Sequence, residues 1–222
     1  MMYVFKNIFE WFYKSKLYAF ILIFYAYLCW LMLEITLQYI PIKLDVAFLA
    51  IKQDYIHFLH YRIAFFIHVF SSVFVLLAGF TQFSKYLRKK HPSIHRKAGW
   101  LYIVCILFFS APSGFIIGIY ANGGSFSQLA FCILAVLWFL YTYKATTSII
   151  KHQIISHEIW MIRSFSLTLS ALTLRAWKYI IVAMFQPRPM DVYQIVAWLG
   201  WVLNLVIAEI IILKKYEKKH FI

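Results

Sequence analysis

Acidic side chains are scarce: 8 Asp and Glu stand against 22 Lys and Arg in 222 residues, a net charge of +14. The few acids and histidines show no compact ligand spacing of the His-Glu-x-x-His kind, which sets aside a zinc-hydrolase reading. Cysteine is nearly absent too. Cys29, Cys105 and Cys132 fall in separate apolar runs without paired spacing, so neither a disulfide framework nor a cysteine zinc site is encoded, and the three read as small buried hydrophobes. Nothing matches a glycine-rich phosphate loop, a dinucleotide fingerprint or a serine or cysteine nucleophile motif. Long polar connections are missing, leaving no room for a second core, and one domain over 1–222 is expected. The first apolar run continues through Tyr25, Tyr27, Trp30 and Met32 with no small-residue cleavage site, so it is expected to stay as a helix.

What remains is grease. Hydrophobic residues make up 64% and aromatics 21% of the chain, with a mean hydropathy of +0.75, beyond what a water-soluble core requires. A hydrocarbon core of about 30 Å takes about 20 apolar residues to cross as a helix. Six runs qualify, at 17–40, 62–83, 98–120, 127–150, 159–183 and 192–213. Each must satisfy its own backbone hydrogen bonds, so the expected fold is an all-α, polytopic membrane bundle of six transmembrane helices. Residues 62–183 form a four-helix core, with 1–61 and 184–222 as flanking helices. The longest link, Pro41 to Tyr61, has an apolar stretch, Val46 to Ile51, that predicts a small surface or re-entrant element.

Lysine and arginine gather around Lys6–Lys16, Lys85–Lys97, Lys144–Lys151 and Lys214–Lys219, all on one side of the spans. Only Lys43, Lys52, Arg62, Lys178 and Arg188 fall on the other. The positive-inside rule then places both termini in the cytoplasm and the chain in the cell (inner) membrane. The basic surplus lies in short loops beside lipid, which points to anionic headgroups as its counter-charge rather than to nucleic acid. His91, His152 and His220 share those loops and read as solvated, and His57 and His60 as surface groups. Trp11, Tyr120, Trp177 and Tyr179 read as interfacial anchors.

Ionisable residues inside spans are costly and face a bundle interior or a wet cavity. Depth along the helices predicts two polar layers. Glu34, His68 and Arg175 form an outer one. Gln82, His95, Arg96, His157, Glu158, Arg163 and Glu209 form an inner one. Eighteen residues make five helical turns, so His157, Ser164, Thr168 and Arg175 point the same way along the fifth span, and Arg163, Ser166, Ser170 and Thr173 make a second stripe. Polar groups on two sides predict a helix surrounded by protein. In the third span His95, Gly99, Tyr102 and Ser113 align, and Pro112 predicts a kink.

His95 and His157 open two helices on the same side. Two imidazoles from facing helices can ligate haem iron axially, which makes them candidate iron ligands for one haem b, with Arg96, Lys97 or Arg163 on its propionates. Arg96 and Arg163 equally suit a lipid phosphate or a quinol. His68 can gate proton movement with Glu34 and Arg175. Against these stands a non-enzymatic reading, as a transporter, assembly factor or lipid-binding subunit, in which the polar stripes are packing seams.

The run Gly79-Phe80-Thr81-Gln82-Phe83, the basic loop, His95-Arg96 with Gly99 and Tyr102, Trp138, His157-Glu158-Ile159-Trp160-Met161-Ile162-Arg163-Ser164, and Thr173-Leu174-Arg175 together resemble a bacterial family of predicted membrane proteins, domain of unknown function 2306. The resemblance covers about residues 62–180 and implies no settled activity. The four-helix layout is more distantly similar to b-type membrane cytochromes, but histidines clustered on one side depart from their two stacked pairs.

Overall fold

The computed structural model describes residues 2–216, with side chains from Lys16 onward except those of Tyr18, Phe80 and Lys85. Lys218, Lys219 and His220 lie outside the described residues, as do the side chains of Lys6, Trp11 and Lys14. Helices run α1 (Met2–Leu37), α2 (Gln53–Ile56), α3 (Leu59–Gln82), α4 (Lys85–Lys90), α5 (Pro92–Val104), α6 (Ala111–Ile119), α7 (Gly124–Ile150), α8 (Ile154–Thr168), α9 (Ser170–Phe185) and α10 (Pro189–Tyr216). No strand occurs among the described residues. Five helical stretches are long and apolar enough to cross a membrane, and α8 with α9, bent by 40° at their junction, supplies a sixth if the pair counts as one span.

Local chemistry sets the boundaries. Pro92 occupies the first turn of α5, where its missing N–H costs nothing, so the third span begins earlier than the apolar run at 98 and takes in His95. Ser84 caps α4 by accepting the Leu87 N–H (3.2 Å), and Arg88, Lys89 and Lys90 sit in its last turn, where cations meet the negative end of the helix dipole. Gly123 and Gly124 turn the chain from α6 into α7 at φ of +86° and +73°, a region glycine enters without strain.

The third and fifth spans depart from regular α-helix, and both departures shape the polar interior. A π-helical turn, Cys105–Ser110, joins α5 to α6 ahead of Pro112. The sequence leads one to expect a kink at Pro112; widening the preceding turn instead relieves the clash between the proline ring and the carbonyl four residues back. The fifth span is not straight either. It breaks at Leu169, where α8 and α9 meet at the 40° bend.

Tyr102, Ile106, Trp138, Met161, Leu167 and Trp201, from α5, the π turn, α7, α8 and α10, form the main core. α1 lies at the edge against α3 and leaves Phe20, Ile23, Phe24 and Tyr27 exposed, the surface a lipid tail would cover. One end of the bundle, the basic end, carries α4 and the α7–α8 connection. The opposite, far end is closed by residues 38–58, including a 3-10 turn at Ala47–Ile51 and α2, where the sequence predicts a small surface element.

Lys52 pins this strap. Its side chain is 2% exposed, and Nζ donates to the Tyr120 carbonyl and to Asn122 Oδ1 beyond α6, beneath the rings of Phe48 and Tyr55 at 5.7 and 5.2 Å. Burial lowers the Lys52 ammonium from 10.5 to about 8, partly opposed by Asp54. A neutral amine keeps two N–H donors, matched to those two acceptors. The native state therefore sheds this proton before the unfolded chain does, and stability rises with pH from about 8 until the unfolded lysine titrates. Between pH 7.5 and 9.5 the thermal midpoint of the wild type should climb by about 3 °C relative to Lys52→Gln. A pH-independent gap between the two proteins would contradict this.

Candidate functional site

Three polar groupings succeed one another from the basic end to the far end, and they differ in how fully their hydrogen-bonding capacity is used.

The middle grouping is closed. Trp138 Nε1 lies 3.0 Å from Thr168 Oγ1, Thr168 Oγ1 2.8 Å from Tyr102 Oη, Tyr102 Oη 2.8 Å from Ser164 Oγ, Ser164 Oγ 2.7 Å from Thr142 Oγ1, and Thr142 Oγ1 2.8 Å from the Trp138 carbonyl. All five side chains are buried. The indole can only donate and the carbonyl can only accept, so the two ends fix the direction. Only one wiring satisfies all five contacts: Trp138 N–H to Thr168, Thr168 to Tyr102, Tyr102 to Ser164, Ser164 to Thr142, and Thr142 to the Trp138 carbonyl. Each hydroxyl gives one proton and receives one. This loop clasps α5, α7 and α8, and nothing in it is left for a ligand.

At the basic end the charged residues have found partners. Arg163 grips Glu209 of α10 through two parallel bonds of 2.6 and 2.8 Å, and its guanidinium lies 4.5 Å from the Trp160 ring. Lys144 approaches the same ring at 4.4 Å. Glu158 accepts from Lys215 and, at 2.7 Å, from the Tyr216 hydroxyl. Arg96 and Lys97 are exposed, as are His91 and His152. The histidines behave otherwise. His157 donates Nδ1–H to the Ala145 carbonyl at 2.8 Å, which turns Nε2 to the other edge of the ring. His95 is half-buried and within electrostatic reach of His157; its Nδ1 is buried with no hydrogen-bond partner among the described residues, while its backbone carbonyl accepts from Gln82 Nε2 at 3.3 Å. Ser72 Oγ, Ser127 Oγ and Trp201 Nε1 are likewise buried and unpaired among the described residues, but the His95 atom belongs to a ring within electrostatic reach of a second imidazole.

At the far end His68 donates Nδ1–H to the Ser110 carbonyl (2.8 Å) at the close of the π turn, and Ser71 meets Ser110 Oγ at 2.7 Å. Gly114 admits the imidazole: a Cβ there would stand 3.0 Å from the ring. Arg175 lies within electrostatic reach of His68, as their shared depth in the sequence leads one to expect. Glu34 is not brought to them. It is exposed on α1 and accepts from Trp30 Nε1 at 3.2 Å. The outer layer expected from Glu34, His68 and Arg175 thus loses its acid, because depth along a helix does not specify azimuth.

Thr142 and Lys52 escape sequence reasoning. The spacing of Trp138, Thr142 and Thr146 at successive fourth positions on α7 is the signal that could have exposed the first. For Lys52 there was none.

A chain of five or six membrane-length helices with polar side chains clasped inside the bundle is a multi-pass membrane protein. The sequence model of the family described as predicted membrane protein (DUF2306) matches residues 65–212, and the chain belongs to that family. The match takes in α10 as well as the helices on which the motifs lie, and excludes α1 and the strap. No curated protein and no solved structure matches the chain.

Proposed function

We propose that the protein is a haem-binding redox protein of the cell membrane, in which His95 and His157 would hold the haem iron near the cytoplasmic surface, with both termini on that side. The observation that carries this reading is a His95 whose buried Nδ1 has no hydrogen-bond partner among the described residues, within electrostatic reach of a His157 whose Nδ1 is held by the Ala145 carbonyl. A carbonyl fixing the far nitrogen is how proteins orient a ligating imidazole. Among the described residues no three His, Cys, Asp or Glu side chains gather at a metal-binding distance. Two imidazoles alone fall short of the four ligands of a structural zinc, but they suffice for an iron that arrives with four porphyrin nitrogens. Haem would supply one-electron transfer, with a quinol at headgroup level as the partner class. Gln82 positions the His95 backbone. Arg96 and Lys97, exposed beside His95, are the cations free for propionates, whereas Arg163 is committed to Glu209 and leaves that role. The basic loops then rest on anionic headgroups.

The closed hydroxyl loop favours the second reading, a non-enzymatic transporter, assembly factor or lipid-binding subunit in which polar residues serve packing. An absorption spectrum decides between them. Protein expressed with ample haem should show a Soret band and a dithionite-reduced difference spectrum, and His157→Ala should lower haem retention at least about tenfold. No band in the wild type would leave the packing reading standing.

A further inference from the structure

Arg175 is a cation without a carboxylate. Among the described residues no Asp or Glu pairs with it, and its one hydrogen bond runs from Nη1 to the Ala171 carbonyl, 2.6 Å away on its own helix. A guanidinium has five N–H groups, so four remain uncommitted. The side chain is half-buried in the last membrane-length stretch before α10, where an unpaired charge is expensive and marks a site.

The surroundings are donors too. Tyr39, from the strap just beyond α1, and Tyr193, from the start of α10, lie within electrostatic reach of the guanidinium, as does the exposed Tyr179. Tyr39 Oη accepts the Phe48 N–H at 3.2 Å, and the Tyr193 oxygen accepts a backbone bond from Asn122. Both hydroxyl protons are therefore still available to give. Only His68 offers the opposite polarity, since donating Nδ1–H to Ser110 leaves Nε2 as an acceptor. The strap, α3, α9 and α10 thus bring uncommitted donors within electrostatic reach of one another, with one acceptor and, among the described residues, no anion.

We propose that this far-end cluster is a binding site for an oxyanion, a phosphate or carboxylate, on a ligand that also carries an O–H. Arg175 takes the charge through its fork, Tyr39 and Tyr193 donate to the remaining oxygens, and His68 accepts the ligand hydroxyl. The site lies at the other end of the bundle from the histidine pair and does not depend on haem. The charge is matched when the ligand is bound, which explains how a bundle that pairs Arg163 and Glu158 leaves Arg175 bare.

The test is thermal stability in nanodiscs of phosphatidylcholine, alone, with phosphatidylglycerol added, or with inorganic phosphate in the buffer. At about a hundredfold excess over the dissociation constant, the occupied wild type should melt about 5 °C higher. A rise with phosphate identifies a soluble oxyanion as the source, and a rise with phosphatidylglycerol alone identifies a lipid headgroup. Arg175→Gln should lose the rise. Arg188→Gln, which removes an exposed cation already paired with Asp191, should keep it. If Arg175→Gln does not fold, Arg175→Lys and Tyr39→Phe decide, each keeping less than half of the wild-type shift. No rise with either probe, or an undiminished rise in the Arg175 and Tyr39 variants, overturns the proposal.

Discussion

Tyr102→Ala should cost about 3 to 5 kcal/mol of bundle stability, read as the shift of a reversible detergent unfolding curve, whereas Tyr102→Phe should cost about 1 kcal/mol. The ring is 0% exposed at the centre of the core and also presses on Gly79, where a Cβ would stand 2.9 Å from it. In lipid the transfer of apolar surface contributes little, so the loss comes from packing contacts across the vacated space. A second cost arises in the hydroxyl loop. Without Tyr102, Thr168 must turn back to the Ser164 carbonyl at 3.2 Å, and Ser164 loses the proton it received. Phenylalanine keeps the packing and loses only the hydroxyl, so the gap between the two variants measures the packing share. Equal effects would mean that the hydroxyl loop, not the ring, holds α5 to α8.

Gly200→Val should cost about 3 kcal/mol, again by detergent unfolding, with Gly200→Ala intermediate. At this point α10 meets α9 almost backbone to backbone: a Cβ on residue 200 would lie 2.9 Å from Leu174 Cβ and 3.1 Å from its Cα. Backbone cannot rotate away as a side-chain tip can. The same contact carries polar links, because Thr173 Oγ1 donates to the Gly200 carbonyl at 2.5 Å and accepts from Asn204 Nδ2 at 2.9 Å. Small residues that let helices approach closely are a main source of association in a bilayer, where apolar burial drives little. Pushing α9 outward also displaces Arg175, one residue beyond Leu174, so Gly200→Val should blunt any oxyanion response. Stability within about 0.5 kcal/mol of wild type would show that α9 and α10 slide without penalty.

The helical count was legible because a bilayer imposes one length and one way of satisfying backbone bonds on every span. Residue pairs were less legible. The phase rule correctly grouped Ser164 with Thr168, which share α8 and the hydroxyl loop, and both lie before the bend. Arg175, on the same expected face, lies beyond the break at Leu169, on α9. Glu34 shows the same limit in another form. Its depth resembled that of His68, yet α1 turns it to Trp30 at the bundle edge.

By itself the sequence determined that the chain is a multi-pass helical membrane protein with its basic residues gathered at one end, because hydropathy, span length and charge placement are properties of the chain alone. Tertiary structure decided which polar groups are used up and which remain open. Arg163 and Glu158 look as promising as Arg175 and His95 in a sequence, and only packing separates them. Glu209 and Lys215 reach the first two from α10, 46 and 57 residues away, while among the described residues no carboxylate arrives at Arg175 and no donor or acceptor at His95 Nδ1. Partnership between residues so far apart depends on where whole helices come to rest, and that is set by contacts such as Gly200 against Leu174, which no local pattern encodes.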